Sequence, residues 1–385
     1  MNILTRILYV IIIVSFLDTF IQLPIITPYS LQLGASHILG GAIVAVYSLT
    51  NMIGNIFGGY WIDTYGRKKM LLTGMLAVTI ILLFYPLAQT GEQLLAIRFI
   101  HGLAGGILIP AAFAYVGDQS TTKNRGRVMA LTGASIGTAA ILGPALGGAI
   151  SSQSKIEHVF ILVSILFVLS SILIVKFVSE SYEGTDRGKF SFADFVPLIK
   201  NPNILKASLA AFALMISMGT LAFALPVKLD AIGIVEETKY TGILLSTYGI
   251  ITLIVFLSPL NRIYDRFAPN YLVITGIGII GMVHFMLNTV TQLPIIFILM
   301  IIYGFGFAFV FPSMNRIVTE TTEKVDRGKA YGVFYAFFSL GAVLGSFVSG
   351  AASQLLGLPF FSSAFTTLTI TAILFFIERY TKRRK

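Results

Sequence analysis

The stretch Gly59-Tyr60-Trp61-Ile62-Asp63-Thr64-Tyr65-Gly66-Arg67-Lys68-Lys69 joins two long apolar runs. It carries an acid, a turn-forming glycine and three cations in that order. Neither flanking run tolerates charge, so the stretch reads as a short loop at a membrane surface. A glycine near each end permits close helix approach and a sharp reversal. The Arg67-Lys68-Lys69 cluster assigns that surface to the cytoplasmic side, because short cytoplasmic loops collect lysine and arginine.

Composition agrees with a membrane reading. The chain has 385 residues, 56% hydrophobic and 11% charged, and a mean hydropathy of +0.87. A soluble domain of this size must present a more polar exterior. The expected class is an all-α integral membrane protein. A net charge of +10 could suggest nucleic acid, but the cations are spread over short loops between apolar runs, which reads as a topology signal and not as a nucleic-acid surface. With no cysteine, disulfides, thiol nucleophiles and thiolate metal sites are excluded. The first apolar run lacks a small-residue cleavage site and reads as a retained helix.

Apolar windows of spanning length number about twelve. In the first half they run from about Ile7 to Ile26, Leu39 to Ile62, Met70 to Ala88, Leu94 to Gly117, Val128 to Ile150 and His158 to Val178. A polar segment follows, holding Glu180, Glu183, Asp186, Arg187, Lys189, Asp194 and Lys200; Phe190, Phe192 and Phe195 suggest that part of it lies on the membrane surface. The second half spans roughly Ala207–Val227, Thr241–Arg262, Tyr271–Asn288, Pro294–Val318, Gly328–Ala351 and Phe360–Ile377. The domain expectation is therefore a six-helix bundle at 1–178, a cytoplasmic linker at 179–206 and a second bundle at 207–385. With the N-terminus inside, inner loops and tails collect Arg6, the Arg67 cluster, Lys123, Arg125, Arg127, Arg262, Arg266, Arg316, Lys324, Arg327, Lys329 and the basic tail, and outer loops only Lys155, Lys228 and Lys239. Both termini are expected in the cytoplasm of a multi-pass plasma-membrane protein.

The halves repeat. A shift of about 202 residues lays Pro24 on Pro226, Asp63 on Asp265, Pro110 on Pro312 and Asp118 on Glu320. It also lays Asn124-Arg125-Gly126-Arg127 on Asp326-Arg327-Gly328-Lys329, and Gly143 and Gly148 on Gly345 and Gly350. Duplicated bundles place a transporter's site near the bilayer midplane at the repeat interface.

The ordered pattern at 59–69 resembles the loop between the second and third spans of the major facilitator superfamily of secondary transporters. Three further motifs extend the likeness over nearly the whole chain. Gly133, Gly137, Gly143, Pro144, Gly147 and Gly148 on the fifth span resemble the motif of that family's exporters. Its glycines would form a groove for a neighbouring helix, and Pro144 would permit a bend; Ser346 stands where the proline would repeat. Arg98 with Gly102 and Gly106 resembles an R-x-x-x-G motif of the fourth span. Asp18, in Phe16-Leu17-Asp18-Thr19, resembles the acid-bearing first helix of the exporter branch. The second half departs from the pattern at Asn261 and at Arg266-Phe267-Ala268, an ordinary decay of a repeat. The resemblance implies twelve spans in two pseudo-symmetric six-helix bundles, and a gate at the cytoplasmic end. There Asp63 would face the start of the eleventh span near Gly328, and Arg67 would pair with Asp118, with Gly59 and Gly66 shaping the loop.

The candidate chemistry rests on few groups. Asp18 is the one carboxylate placed well inside a span, where an ionised acid is costly unless paired, wetted or protonated. A carboxyl that alternates between water and an occluded site can carry a proton. The alternative is a fixed ion pair, or a hydrogen bond to Gln22 one turn on. Arg98 stays charged and would pair with Asp18, or else with backbone carbonyls and water. His101 shares its face at i+3; it is either a proton carrier or a hydrogen-bonded packing residue. The spans that face the cavity in the resembled fold would contribute Gln22, Asp18, Met215, Met218, Phe307, Phe311 and Asn315, the last three on one stripe at i, i+4 and i+8. Methionine and aromatic side chains suit a bulky apolar ligand, though such stripes also occur as plain helix packing. Asn51 and Asn55 form a polar face on the second span, for a site or for packing.

No nucleotide-binding loop, metal-ligand cluster or catalytic triad is present in the sequence, so no cofactor, no metal and no enzymatic activity are expected. The expected function is proton-coupled export of amphipathic drugs or related small molecules, with small-molecule substrate, protons and the lipid bilayer as partners and a monomer as the working unit. The alternatives are export of an endogenous sugar, metal chelator or glycolipid, uptake by symport, and a non-transporting membrane receptor or enzyme.

Overall fold

The computed structural model describes residues 3–118, 125–180, 196–322 and 327–383. Within these, the surroundings of Gly59, Asp63, Asp118 and Gly328, four of the expected gate residues, lie outside the described residues. Every regular element among the described residues is a helix. In the first half of the chain the helices are α1 (Ile3–Ile21), α2 (Ile26–Gln32), α3 (His37–Tyr65), α4 (Arg67–Leu82), α5 (Gly91–Asp118), α6 (Arg125–Gln153) and α7 (Glu157–Phe177). They continue with α8 (Val196–Lys200), α9 (Pro202–Ala231), α10 (Glu237–Leu257), α11 (Ile263–Arg266), α12 (Pro269–Thr289), α13 (Leu293–Thr321), α14 (Arg327–Leu356) and α15 (Phe361–Arg383). Eleven of the described helices are long and apolar enough to cross a bilayer, or twelve if α1 and α2, bent by 45° at the break between them, count as one span.

Three local outcomes differ from the sequence expectation. The basic stretch at 59–69 is not a loop: α3 continues to Tyr65, α4 starts at Arg67, and Gly66 alone makes the reversal, with φ +97° and ψ 158°. A side chain rarely adopts that backbone conformation. The first span does not run unbroken to Ile26. It stops at Ile21, two residues before Leu23-Pro24, because proline has no N–H to give the helix ladder. The Gln22 carbonyl then accepts from the N–H groups of both Ile25 and Ile26, at 3.1 and 2.9 Å, and the chain resumes as α2. The seventh span begins earlier than Ala207: Asn201 caps α9 by accepting from the Asn203 and Ile204 N–H groups, with Pro202 in the first turn.

Two compact units emerge, Met1–Gly188 with Gly233–Ser246, and Lys189–Ile232 with Thr247–Lys385. Their internal pairings repeat. In the first, α1 packs on α6, and α4 on both α5 and α7; in the second, α9 packs on α14, and α12 on both α13 and α15. The helix starts keep the register of the sequence repeat, Arg67 against Pro269 and Gly91 against Leu293 (269 less 67 and 293 less 91, both 202). The repeat has diverged at its prolines: Pro24 lies in the break after α1, whereas Pro226 lies inside the continuous α9.

Glycine contacts set the helix spacing in the first unit. A Cβ on Gly54 would strike the Leu103 carbonyl, one on Gly102 would strike Thr50, and one on Gly106 would strike the Asn51 carbonyl. Those three glycines bring α3 and α5 to backbone contact. On α6, a Cβ on Gly143 would meet Phe20 Cβ at 2.7 Å, and one on Gly147 would strike the Ile21 carbonyl. The fifth-span glycine motif thus grips the last turn of α1, next to the break.

Candidate functional site

The break after α1 and the close approach of α3 to α5 converge on one buried polar cluster. Asp18, Gln22, Arg98 and His101 are all at least nine-tenths buried. Gln22 Nε2 donates to Asp18 Oδ1 at 2.7 Å, and Arg98 Nη1 donates to Gln22 Oε1 at 2.8 Å. The amide orientation is dictated by its neighbours, since a carboxylate only accepts and a guanidinium only donates. Arg98 Nε donates to the Ile43 carbonyl at 3.3 Å, and its guanidinium lies 4.2 Å from the centre of the Tyr47 ring, a cation–π contact in a dry setting. The Tyr47 hydroxyl pairs with Thr19 Oγ1 at 3.3 Å.

His101 Nε2 pairs with Asp18 Oδ2 at 3.1 Å, and His101 Nδ1 pairs with the Tyr85 hydroxyl at 2.8 Å. Tyr85 is held in turn. Its ring stacks on Phe160 with centroids 4.1 Å apart, and its carbonyl accepts from the Tyr29 hydroxyl at 2.6 Å. The result is a connected relay, Tyr85 to His101 to Asp18 to Gln22 to Arg98, in which every named polar group has a partner.

Arg98 and Asp18 are not directly paired; Gln22 stands between them, so the cation acts on the acid through an oriented amide. The hydrogen bond from Gln22 to Asp18 exists alongside the His101 contact. His101 shares the Arg98 face, as the i, i+3 spacing requires, and reaches the same acid. The sequence reading missed Tyr85 and Tyr47. Tyr47 had a signal, the i, i+4, i+8 series Tyr47, Asn51, Asn55 on α3, where Asn55 Nδ2 donates to Asn51 Oδ1 at 2.9 Å. Tyr85 had none, because its role depends on a turn between α4 and α5 folding back over α5.

The arrangement can take up one proton without losing a hydrogen bond. With Asp18 ionised and His101 neutral, Nε2–H donates to Asp18 and Nδ1 accepts from the Tyr85 hydroxyl. With a proton added, both ring nitrogens donate, and the tyrosine oxygen accepts after its hydroxyl turns. The cluster, Arg98 included, then changes from neutral to singly positive.

Among its described residues the second unit carries no such cluster. The 202-residue shift places Thr220, Met300 and Tyr303 at the positions of Asp18, Arg98 and His101. There the Thr220 hydroxyl donates to the Gly345 carbonyl at 3.1 Å, and the Tyr303 hydroxyl pairs with Ser217 Oγ at 2.6 Å. His284 lies parallel to Tyr303 with ring centroids 5.8 Å apart and pairs with Ser363 Oγ at 2.8 Å.

Gln22 is buried, with both ends of its amide engaged. Phe307 and Phe311 stack at 5.7 Å, Tyr248 adds to them at 5.7 Å from Phe307, and Asn315 Nδ2 donates to the Phe311 carbonyl at 2.8 Å. Met215 and Met218 are half-buried on α9, and Met215 Cβ lies 3.1 Å from where a Cβ on Gly341 would sit. Gly148 packs against α10, and so does Pro144, whose carbonyl a Cβ on Gly242 would strike. Gly133 and Gly137 have nothing within 4 Å among the described residues. Arg67 is buried, and its backbone N–H donates to Glu180.

A model of the Major Facilitator Superfamily matches residues 8–269 and 207–385. Multidrug resistance protein 1 of Bacillus subtilis (strain 168) is 24% identical over 96% of this chain and 94% of its own. Multidrug resistance protein MdtG of Escherichia coli O9:H4 (strain HS) is 23% identical over 86% and 83%. Multidrug resistance protein 2 of Bacillus subtilis (strain 168) is 29% identical over 47% and 45%. Among solved structures, a POT family transporter in complex with a thioalcohol-conjugated peptide superposes with a TM-score of 0.82 at 12% identity, covering 98% of this chain and 96% of that one. A bacterial homologue of the human lysosomal transporter Spinster, inward-facing and occupied, gives 0.77 at 15% identity, covering 97% and 96%.

Proposed function

The chain belongs to the major facilitator superfamily, and from that premise we propose that it is a proton-coupled antiporter exporting amphipathic drugs or related small molecules by alternating access. The observation that carries this reading is the buried relay of Asp18, His101 and Tyr85, held by Gln22 and Arg98 beside the break in the first span. A transporter driven by protons needs a group that gains and loses one inside the membrane, and here such a group is present in one half of the duplicated chain. The names of its relatives, multidrug resistance proteins over most of their length, supply the substrate class.

In this reading Asp18 and His101 share the transported proton, Gln22 and Arg98 hold the acid and balance its charge, and Tyr85 sets the orientation of the imidazole. The stripe of Phe307, Phe311 and Asn315, with Met215 and Met218, contacts the substrate. Residues 1–178 and 207–385 act as two six-span bundles joined by 179–206. The protein is a transporter and not an enzyme, works as a single chain in the plasma membrane, and keeps both termini in the cytoplasm with its basic loops. The test is transport of fluorescent lipophilic dyes in liposomes containing the purified protein under an imposed pH gradient. Dye movement that follows the gradient in the parent and disappears in Asp18→Asn supports the reading. Transport indifferent to the gradient would remove proton coupling from it.

A further inference from the structure

The second unit contains a cavity of about 370 Å³ that the transport reading leaves unused. It is lined by Val255, Leu260 and Ile263, by Phe305 and Phe309 of α13, and by Arg262 and Arg266. The two arginines are exposed, and neither has a hydrogen-bond or ion-pair partner among the described residues. Asp265, which precedes Arg266, does not line the cavity and pairs with neither.

The cavity has a polar end and an apolar end, and Tyr264 shows the direction. Its carbonyl accepts from Arg316 Nη1 at 2.7 Å, and its hydroxyl donates to the Ala308 carbonyl at 2.8 Å. Eight residues of α13 separate those contacts, about 12 Å at the α-helical rise. The backbone of α11, which carries Arg266, therefore sits level with Arg316. Phe309 follows Ala308 and Phe305 lies one turn further along, so the two flank the middle of a helix of 29 residues. Leu260 and Phe267 complete the lining as exposed apolar side chains.

We infer that this cavity binds an anionic phospholipid, with the headgroup phosphate between Arg262 and Arg266 and the upper part of one acyl chain against Ile263, Phe309 and Phe305. Two unpaired guanidiniums at the end of a span match a phosphate in charge and in planar two-pronged geometry. Basic pockets beside membrane helices take acidic headgroups for the same reason. The volume is that of a pocket for one small ligand, about 300–1,000 Å³, so it holds a headgroup and part of a chain, not a whole diacyl lipid. The phenylalanine wall favours a lipid over a free anion, which has no apolar part to bury there.

The experiment titrates the full-length protein, purified in a neutral detergent, with phosphatidylglycerol, phosphatidylcholine or inorganic phosphate, and counts retained lipid by native mass spectrometry. The expected result is one saturable phosphatidylglycerol per chain, little retained phosphatidylcholine, and no displacement by phosphate. Arg262→Gln with Arg266→Gln should weaken binding about tenfold or more, as loss of charge-assisted hydrogen bonds implies. Arg262→Lys with Arg266→Lys should restore part of it, and Phe305→Ala with Phe309→Ala should weaken it with both arginines intact. Equal phosphatidylglycerol binding by the parent and the double glutamine variant would overturn the assignment. So would displacement of the lipid by phosphate at matched concentration, which would make this a free-anion site.

Discussion

The Glu180 carboxylate sits on the start of α4, accepting from the Arg67 N–H at 2.7 Å. It also accepts from the N–H groups of Lys68, at 3.3 and 3.2 Å, and Lys69, at 3.4 Å. Three cations in the first turn oppose the positive end of a helix dipole, and α4 has no capping side chain of its own. The acid arrives from the end of the first half of the chain. The Tyr115 hydroxyl holds that end in place by donating to the Ser179 carbonyl at 2.7 Å.

Glu180→Gln should therefore destabilise the start of α4, by about 0.5–2 kcal/mol if it acts as an ordinary N-cap. Hydrogen exchange at residues 67–70 is the direct measurement, and it should accelerate with little change elsewhere in the helix. Unchanged exchange there would show that the contact contributes nothing.

Gly66→Ala should cost more than the cap alone. Its φ of +97° disfavours any side chain, at about 1–3 kcal/mol for a strained backbone, and the added Cβ would lie 2.6 Å from Glu180 Oε2. Thermal unfolding in detergent should report a larger loss for Gly66→Ala than for Glu180→Gln.

Asp18→Asn should abolish proton-driven export in a protein that still folds and inserts. His101→Gln keeps a donor for Asp18 but cannot hold a second proton, so it should impair gradient-driven transport while sparing equilibrium exchange of substrate. Gradient-driven and exchange transport in the same liposomes separate the two effects. Full gradient-driven export in both variants would remove the pair from the mechanism.

Gln22→Leu leaves Asp18 Oδ1 and Arg98 Nη1 without their shared partner. Stranding buried polar groups costs about 1–3 kcal/mol, more when they are charged. Thermal unfolding should fall accordingly, and the loss should shrink when Arg98→Leu is combined with it, since the two residues act together. Strict additivity would mean that the two do not share one network.

The glycines of the fifth span should divide by position. Gly147→Ala drives a Cβ into the Ile21 carbonyl and Gly143→Leu displaces Phe20, so both should disturb the last turn of α1 and cost about 1–3 kcal/mol by overpacking. Gly133→Ala and Gly137→Ala meet nothing within 4 Å among the described residues and should leave stability unchanged. Thermal unfolding of the four variants checks the division, and transport then shows whether the first pair impairs export.

The membrane class, the spans, the repeat and the family were legible in the residues alone, because each rests on local or periodic properties. Apolar length, loop charge and recurring glycine, proline and acid positions need no knowledge of what touches what. The members of the buried cluster were legible one by one for the same reason: a carboxylate, an arginine and a histidine in apolar helices are conspicuous wherever they pack. Their connections were not. That Gln22 bridges Asp18 to Arg98, that Tyr85 completes the relay through His101, and that Glu180 caps a helix begun 113 residues earlier all follow from how far helices approach and where they bend. Those distances are set by Gly54, Gly102 and Gly106 between α3 and α5, by Gly143 and Gly147 against α1, and by the break beside Pro24. Such contacts couple residues far apart in the chain, and only the packed structure decides which of the available donors and acceptors meet.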